Sequence, residues 1–563
     1  MTFAQLVARA LYARGVHDIF GIPGAVLLDM LYEAANEGVR PRISYNEQSA
    51  AFAATGYAQT AGYGCAFATK GPGVTNLLTG IADAWCESAR VLFLTAHSGR
   101  SRDAARRLTT NQEVDAVAMA APVTLVSERV DSPDEAVRAL ERALAALDAP
   151  RGGTALLDVH ASLWSADVGA SPIEIAPPSP ICTNASELDA RIRDFMCAAE
   201  RPVVLVGQGA RTHDPAIVRA YLSSLGAPIV TSRPALDVAC GLPHALGYVG
   251  SRGIRAANHA LAHATDLLVL GNRMGFPDGS ASFGPLVGGM RILRFDADPS
   301  EFERPFACES HVCDLRAFLS AAPAPTAPTT SAAHARWLAE CDRAAAALFG
   351  ADATEPVVGL MRLLEGIDPS THIAVDIGNN SHWFSIAAHE LGLPNRQLHS
   401  HSFGALGSAL GRAIGAALAG APHVVCIVGD QGLQMNSQEL QLVRDLDLSI
   451  TVVLLNNKTS GMIRDRELRR ENFLLTTADS GYGTPDFAAL AAAYGLPHAL
   501  ARDLAHGTRP ALAQDAAPLV VELPVDATIE ARPNLPLGAS LDCQVPPPLT
   551  HSGTHKPVFD PRR

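Results

Sequence analysis

The chain has 563 residues, of which 48% are apolar and 18% charged, and a formal net charge of −13. That length exceeds what one core can organise and implies about three domains of roughly 150–200 residues each. Nucleic acid is excluded as an expected partner because no basic stripe is interleaved with aromatics, and ten scattered cysteines without a Cys-x-x-Cys pair fit buried thiols of a reducing compartment.

Residues 1–14 carry Arg9 and Arg14 inside an apolar pattern, which predicts an amphipathic helix and not a signal peptide. A short strand over residues 42–45 leads to Glu47 and a small-residue helix over residues 49–58. A glutamate at a helix start ordinarily complements the helix dipole. Thr69-Lys-Gly-Pro-Gly-Val-Thr-Asn76 predicts a tight turn into a helix over residues 77–85, and Asn111-Gln112-Glu113 follows about 35 residues later. His97, in Thr95-Ala-His-Ser98, reads as a lone, solvated loop histidine.

Pro/Ala/Ser-rich stretches at about 165–186 and 321–333 read as linkers. They divide the chain into segments 1–168, 186–322 and 335–545, with a flexible tail at 546–563. Short Val/Ile/Leu runs at 91–95, 202–207, 266–271, 291–296 and 450–455 alternate with longer Ala/Leu-rich helical patterns. The expected fold class is α/β: three doubly wound domains with mainly parallel sheets covered on both faces. In such sheets ligands bind at the carboxyl ends of strands. The longest small-apolar stretch, 404–429, is broken by Arg412 and Pro422-His423, so no membrane partner is expected and the cytoplasm is the expected location.

One strand runs into Gly429-Asp430-Gln431-Gly432, and another ends at Asn456-Asn457. A carboxylate and an amide 27 residues apart, both at strand ends, supply hard oxygen ligands suited to Mg2+ against a diphosphate.

Glu47-x-x-Ala-x-x-x-Ala-x-Gly-Tyr-Ala58, Gly71-Pro-Gly-x-Thr-Asn76, Gln112-Glu113 and Gly429-Asp430…Asn456-Asn457 stand in this order along the chain. So do Phe20-Gly-Ile-Pro-Gly24, Val206-Gly-Gln-Gly209, Pro485-Asp-Phe487 and Pro533-Asn-Leu-Pro-Leu-Gly538. Together they resemble thiamine-diphosphate (ThDP) enzymes, and acetolactate (acetohydroxyacid) synthase in particular, over nearly the whole chain.

The resemblance implies a pyrimidine-binding first domain, a central domain and a diphosphate-binding third domain. It places the cofactor between the first domain of one subunit and the third of another, so a homodimer is the minimum unit and a homotetramer the alternative. Glu47 and Gln112 become the catalytic residues: Glu47 hydrogen-bonds the pyrimidine ring and favours the imino form of its amine, and Gln112 faces the substrate. Gly24, Pro72, Asn76, Leu406, Gly429, Gln431, Gly432 and Met462 become cofactor-binding. Asp430, Asn457 and the Thr459 carbonyl become ligands of Mg2+. Leu406 is the apolar wedge that bends the cofactor. Gly207, Gly250, Arg273 and Asp296 match positions that hold FAD, although an empty middle domain or another nucleotide stays open.

The implied reaction is decarboxylation of pyruvate or a similar 2-keto acid, with transfer of the acyl unit to a carbonyl acceptor. Three positions depart from the family pattern. Gln431 replaces a glycine, Asn111 replaces a phenylalanine beside Gln112, and Pro277 replaces an arginine that recognises the second keto acid's carboxylate. Gln431 is strained if its site needs positive φ. Losing the arginine points to an acceptor other than a second keto acid, such as a neutral aldehyde, ketone or keto-sugar. The paired histidines of simple decarboxylases are not evident, which favours carboligation. A non-oxidative 2-keto-acid decarboxylase is the alternative, and a non-catalytic scaffold subunit is the alternative of another class.

Overall fold

The computed structural model describes residues 1–99, 110–169, 184–211, 214–275, 287–304, 306–322, 331–471, 474, 477, 482–504, 511–512, 517–536 and 538–547. Pro277, most of both expected linkers and nearly all of the expected tail lie outside these.

Among the described residues eighteen strands form three six-stranded sheets in which neighbouring strands pair in parallel. The first sheet contains β1 (Asp18–Ile22), β2 (Arg40–Ile43), β3 (Gly64–Ala68), β4 (Val91–His97), β5 (Val126–Val130) and β6 (Thr154–His160), in the order β2-β1-β3-β4-β6-β5. The second contains β7 (Pro202–Val206), β8 (Ile229–Thr231), β9 (Ala245–Tyr248), β10 (Asp266–Leu270), β11 (Arg291–Asp296) and β12 (Glu309–Val312), in the order β12-β11-β10-β7-β8-β9. The third contains β13 (His372–Val375), β14 (Gln397–His399), β15 (Val424–Gly429), β16 (Ile450–Asn456), β17 (His498–Leu500) and β18 (Leu519–Pro524), in the order β14-β13-β15-β16-β18-β17.

The first and third sheets therefore share one topology, with a switch point between their first and third strands. The second sheet has the order of a dinucleotide-binding doubly wound fold, with its switch point between β7 and β10. Helices cover both faces, so the central strands are buried throughout: β4, β7, β10 and β16 show no exposed residue. No helix among the described residues is long and apolar enough to cross a membrane.

The first and third sheets meet through two small-residue helices, Glu47–Ala61 and Ser408–Leu418. Their backbones nearly touch. A Cβ on Gly415 would lie 1.9 Å from the Ala53 carbonyl oxygen, and one on Gly56 would lie 2.2 Å from that of Arg412. This is why the helix after Glu47 is Ala/Gly-rich and buried on all sides rather than amphipathic. Beside it Asp83 and Arg412, both fully buried, form an ion pair between the two domains.

Candidate active site

The first half-site stands at the β1/β3 switch point. Gly24 follows β1 and meets Thr69, which follows β3: a Cβ on Gly24 would lie 2.3 Å from Thr69 Oγ1. Glu47 is the first residue of its helix, behind Asn46, whose Oδ1 accepts the Gln48 N–H at 2.7 Å. The Glu47 side chain is buried, and Asn76 Nδ2 donates to its Oε2 at 3.0 Å. Pro72 opens the helix Pro72–Cys86, a position where its missing N–H has no helical partner to lose. Gly71 takes φ +72°, and a Cβ there would lie 2.8 Å from Gln112 Cβ. Gln112 itself has φ +56° and is exposed, as is Asn111. The structure thus gathers Gly24, Glu47, Pro72, Asn76 and Gln112 around one turn.

The second half-site stands at the equivalent β13/β15 switch point. Asp430 opens the helix Asp430–Asn436 and is 2% exposed. Its Oδ1 accepts the Tyr482 O–H at 2.8 Å and the Gln431 N–H at 2.7 Å. Its Oδ2 is buried and has no hydrogen-bond partner among the described residues. Burial pushes the Asp430 pKa up, opposed by the Tyr482 hydroxyl and backbone N–H groups. A buried carboxylate oxygen with an open lone pair is costly unless a cation, a proton or a hydrogen-bond donor meets it.

Asn457 and Thr459 are buried beyond the end of β16, and Asn457 Oδ1 accepts the Thr459 N–H at 3.4 Å. Among the described residues no cluster of three or more His, Cys, Asp or Glu side chains could hold a metal. One carboxylate with amide and carbonyl oxygens suits Mg2+, which commonly takes few carboxylates and completes its shell with phosphates. The residues present therefore fit a Mg2+–diphosphate group.

Asn379 and Asn380 also belong to this cradle, although no sequence motif flagged them. They open the helix Asn379–Leu391. A Cβ on Gly461 would lie 2.6 Å from Asn457 Nδ2 and 3.0 Å from Asn379 Nδ2, while one on Gly429 would lie 3.5 Å from Asn380 Oδ1. Met462 follows Gly461 and is half-buried.

Asp376 is a further residue missed from sequence. It follows β13, is fully buried, and accepts the Gly407 and Ser408 N–H groups at 2.9 and 3.2 Å. It thereby pins the turn that carries half-buried Leu406 between Gly404 and Gly407, both at positive φ. Burial pushes the Asp376 pKa up to about 7.

Two expectations change. Gln431 lies in a helix without positive φ, so the suspected strain is not present. Gly432 also meets a steric demand: a Cβ there would lie 2.0 Å from Asp376 Oδ2. His97 is neither alone nor solvated. It ends β4, is buried against His160 with ring centroids 5.3 Å apart, and burial lowers its pKa to about 4.

A cavity of about 610 Å3 opens at the β7/β10 switch point and extends to the first domain. Gly207, Arg273 and Asp296 line it, with eight arginines against four carboxylates around its wall. Backbones are tightly apposed at its floor, where a Cβ on Gly207 would lie 2.2 Å from the Gly271 carbonyl oxygen. Arg273 Nη2 donates to the Cys86 carbonyl at 2.6 Å, bridging to the first domain. Gly250 does not join this lining; its N–H donates to Asn258 Oδ1 at 2.9 Å.

Comparison with known proteins agrees with this geometry. The N-terminal TPP binding domain of thiamine pyrophosphate enzymes matches residues 1–119, the central domain residues 190–322 and the C-terminal TPP binding domain residues 376–523. The chain belongs to the thiamine-diphosphate-dependent enzymes. Within them it is similar to acetolactate synthase large subunits. It is 30% identical over 509 residues to the acetolactate synthase isozyme 2 large subunit of Escherichia coli (strain K12), covering 88% of this chain and 89% of that one. It is 28% identical over 605 aligned positions to the probable acetolactate synthase large subunit of Methanocaldococcus jannaschii, covering 100% and 98%. A probable 2-ketoarginine decarboxylase of Pseudomonas aeruginosa is 30% identical over 514 residues, with 88% of each chain covered.

Proposed function

We propose that this enzyme decarboxylates pyruvate or a similar 2-keto acid and transfers the acyl unit to a carbonyl acceptor. The observation that carries this reading is the open, buried Oδ2 of Asp430 at one switch point, paired at the topologically equivalent one with the buried Glu47 carboxylate and its partner Asn76, which is exposed in the single chain. When bound, ThDP supplies the nucleophilic carbon and the electron sink that let the keto acid lose CO2. Glu47 shares a proton with the pyrimidine ring nitrogen, and Asn76 holds the carboxylate in position for it. Asp430, Asn457 and the Thr459 carbonyl hold Mg2+. Gly429, with Gln431, Gly432 and Met462 around it, faces the diphosphate. Leu406 is the wedge, and Gln112 orients the substrate.

The two half-sites work in a homodimer or homotetramer. Apolar side chains beside both of them are exposed in the single chain, among them Tyr45, Phe403, Met435 and Ile463. The domain limits of 1–168, 186–322 and 335–545 frame this assignment. The central cavity takes an adenine dinucleotide such as FAD. Its arginine-rich wall, and Asp296 at the end of β11, suit diphosphate and ribose groups. The cytoplasm remains the proposed location, in keeping with nine described cysteines that form no disulfide with one another.

The acceptor is taken to be a neutral aldehyde, ketone or keto-sugar, on the strength of Asn111 and Pro277. The alternative is 2-keto-acid decarboxylation without transfer, favoured by the likeness to the 2-ketoarginine decarboxylase. CO2 release from pyruvate with ThDP and Mg2+, measured with and without a panel of acceptors, separates the two. Release that needs an acceptor supports transfer, and equally fast release without one overturns it.

A further inference from the structure

Glu439 is a buried carboxylate that none of the roles above employs. It ends the short turn Ser437–Glu439 in the third domain and is 1% exposed. Its Oε1 accepts the Tyr45 N–H of the first domain at 2.9 Å. The Asn46 N–H and the Ser49 hydroxyl also interact with this carboxylate. Three residues earlier Asn436 reinforces the grip: its Oδ1 accepts the Ser49 O–H at 2.7 Å, and its Nδ2 donates to the Gly407 carbonyl at 2.8 Å. The donors gripped from the third domain therefore bracket Glu47 on both sides in the sequence.

We infer that Glu439 is a positioning residue for Glu47, fixing from another domain the backbone that presents the catalytic carboxylate. The inference rests on the reading of Glu47 given above. A carboxylate is suited to this task because it only accepts hydrogen bonds, whereas an amide would turn an NH2 group towards N–H donors. Burial pushes the Glu439 pKa up to about 7, and the N–H groups of Tyr45 and Asn46 with the Ser49 hydroxyl oppose that rise by favouring the charged, acceptor-only form. The consequence is geometric. A displacement of about 1 Å at a reacting group can lower a rate by about 100-fold.

The test compares full-length wild type, Glu439→Gln and Glu47→Gln. In cofactor-free protein, amide hydrogen exchange over residues 44–50 should accelerate about tenfold or more in Glu439→Gln and stay at the wild-type rate in Glu47→Gln. With ThDP and Mg2+ bound, exchange of the thiazolium C2 proton should fall about 10- to 100-fold in both variants. The ThDP dissociation constant should stay within about threefold of wild type.

Wild-type C2 exchange in Glu439→Gln, alongside a loss in Glu47→Gln, overturns the inference and leaves the reading of Glu47 intact. Wild-type C2 exchange in Glu47→Gln overturns that reading itself. A parallel loss of ThDP affinity and melting temperature in Glu439→Gln identifies a merely structural strut and also overturns the inference. If Glu439→Gln does not fold, Glu439→Asp keeps an acceptor-only group with shorter reach. It should lose part of the C2 exchange, and an unchanged rate overturns the proposal.

Discussion

Asn76 donates its side-chain amide to Glu47 Oε2 at 3.0 Å, across 29 residues of chain. The bond joins the starts of two helices that leave neighbouring parts of the first sheet. It occupies one carboxylate oxygen and leaves Oε1 over Gly73, where an added Cβ would sit at 3.2 Å. Glu47→Gln should keep the fold and lower kcat about 100- to 10,000-fold, because the proton-sharing group is gone while its shape remains. Steady-state CO2 release with ThDP and Mg2+ checks this, and a variant with full activity would contradict the role.

Asp430 Oδ2 is buried with no hydrogen-bond partner among the described residues, which leaves it open to a cation. ThDP plus Mg2+ at about 100 times the dissociation constant should add about 2.7 kcal/mol to wild-type stability. Asp430→Asn should lose most of that gain, and removing Mg2+ with EDTA should abolish it in wild type. Thermal melts with each ligand alone and with both together read the effect.

Gly432 faces Asp376 Oδ2 too closely for any side chain. Gly432→Ala should destabilise the protein by about 1–3 kcal/mol, since neither the buried carboxylate nor the helix can yield cheaply. Gln431→Gly, which restores the family's residue, should bring no relief. It sits in a helix and should lose up to about 1 kcal/mol of helix propensity. Urea unfolding of both variants tests the pair.

Glu390 is buried and held up to about 7 by burial, with its Oε1 accepting the Gly350 N–H at 3.1 Å. Its folded pKa lies above the unfolded value, so the folded state binds the extra proton. The stability this contributes is complete below about 4 and is lost as pH rises to about 7. Relative to wild type, Glu390→Gln should therefore gain stability as pH rises across that window. Buried histidines such as His389 and His423, lowered to about 4 by desolvation, act in the opposite direction in both proteins and cancel in the comparison. Melting temperatures of the two proteins between pH 4 and 7.5 provide the measurement.

Much of the site was legible because its residues sit at strand ends next to turn signals. Gly71-Pro-Gly73 announced the turn at Glu47's partner Asn76, and Gly429-Asp430 with Asn457 announced a buried carboxylate and amide at the ends of β15 and β16. Asp376, Asn379, Asn380 and Tyr482 were not legible. Their roles depend on which strands lie side by side, and adjacency between β13 and β15 is a property of sheet order. His97 was misread for the same reason. Its partner His160 is 63 residues away and meets it only because β4 pairs with β6.

The sequence by itself determined the parallel α/β class, through continuous apolar strands that demand cover on both faces, and the two motif sets that bind one cofactor. Only the tertiary structure decided how those sets are held. Helix Glu47–Ala61 lies against Ser408–Leu418 at backbone contact, Asp376 fits the space that Gly432 leaves empty, and Glu439 grips the chain just before Glu47. These are close-packing relations between segments from 56 to nearly 400 residues apart. Local pattern carries information over a turn or a strand, whereas steric fit at 2–3 Å exists only once the sheets have been brought together.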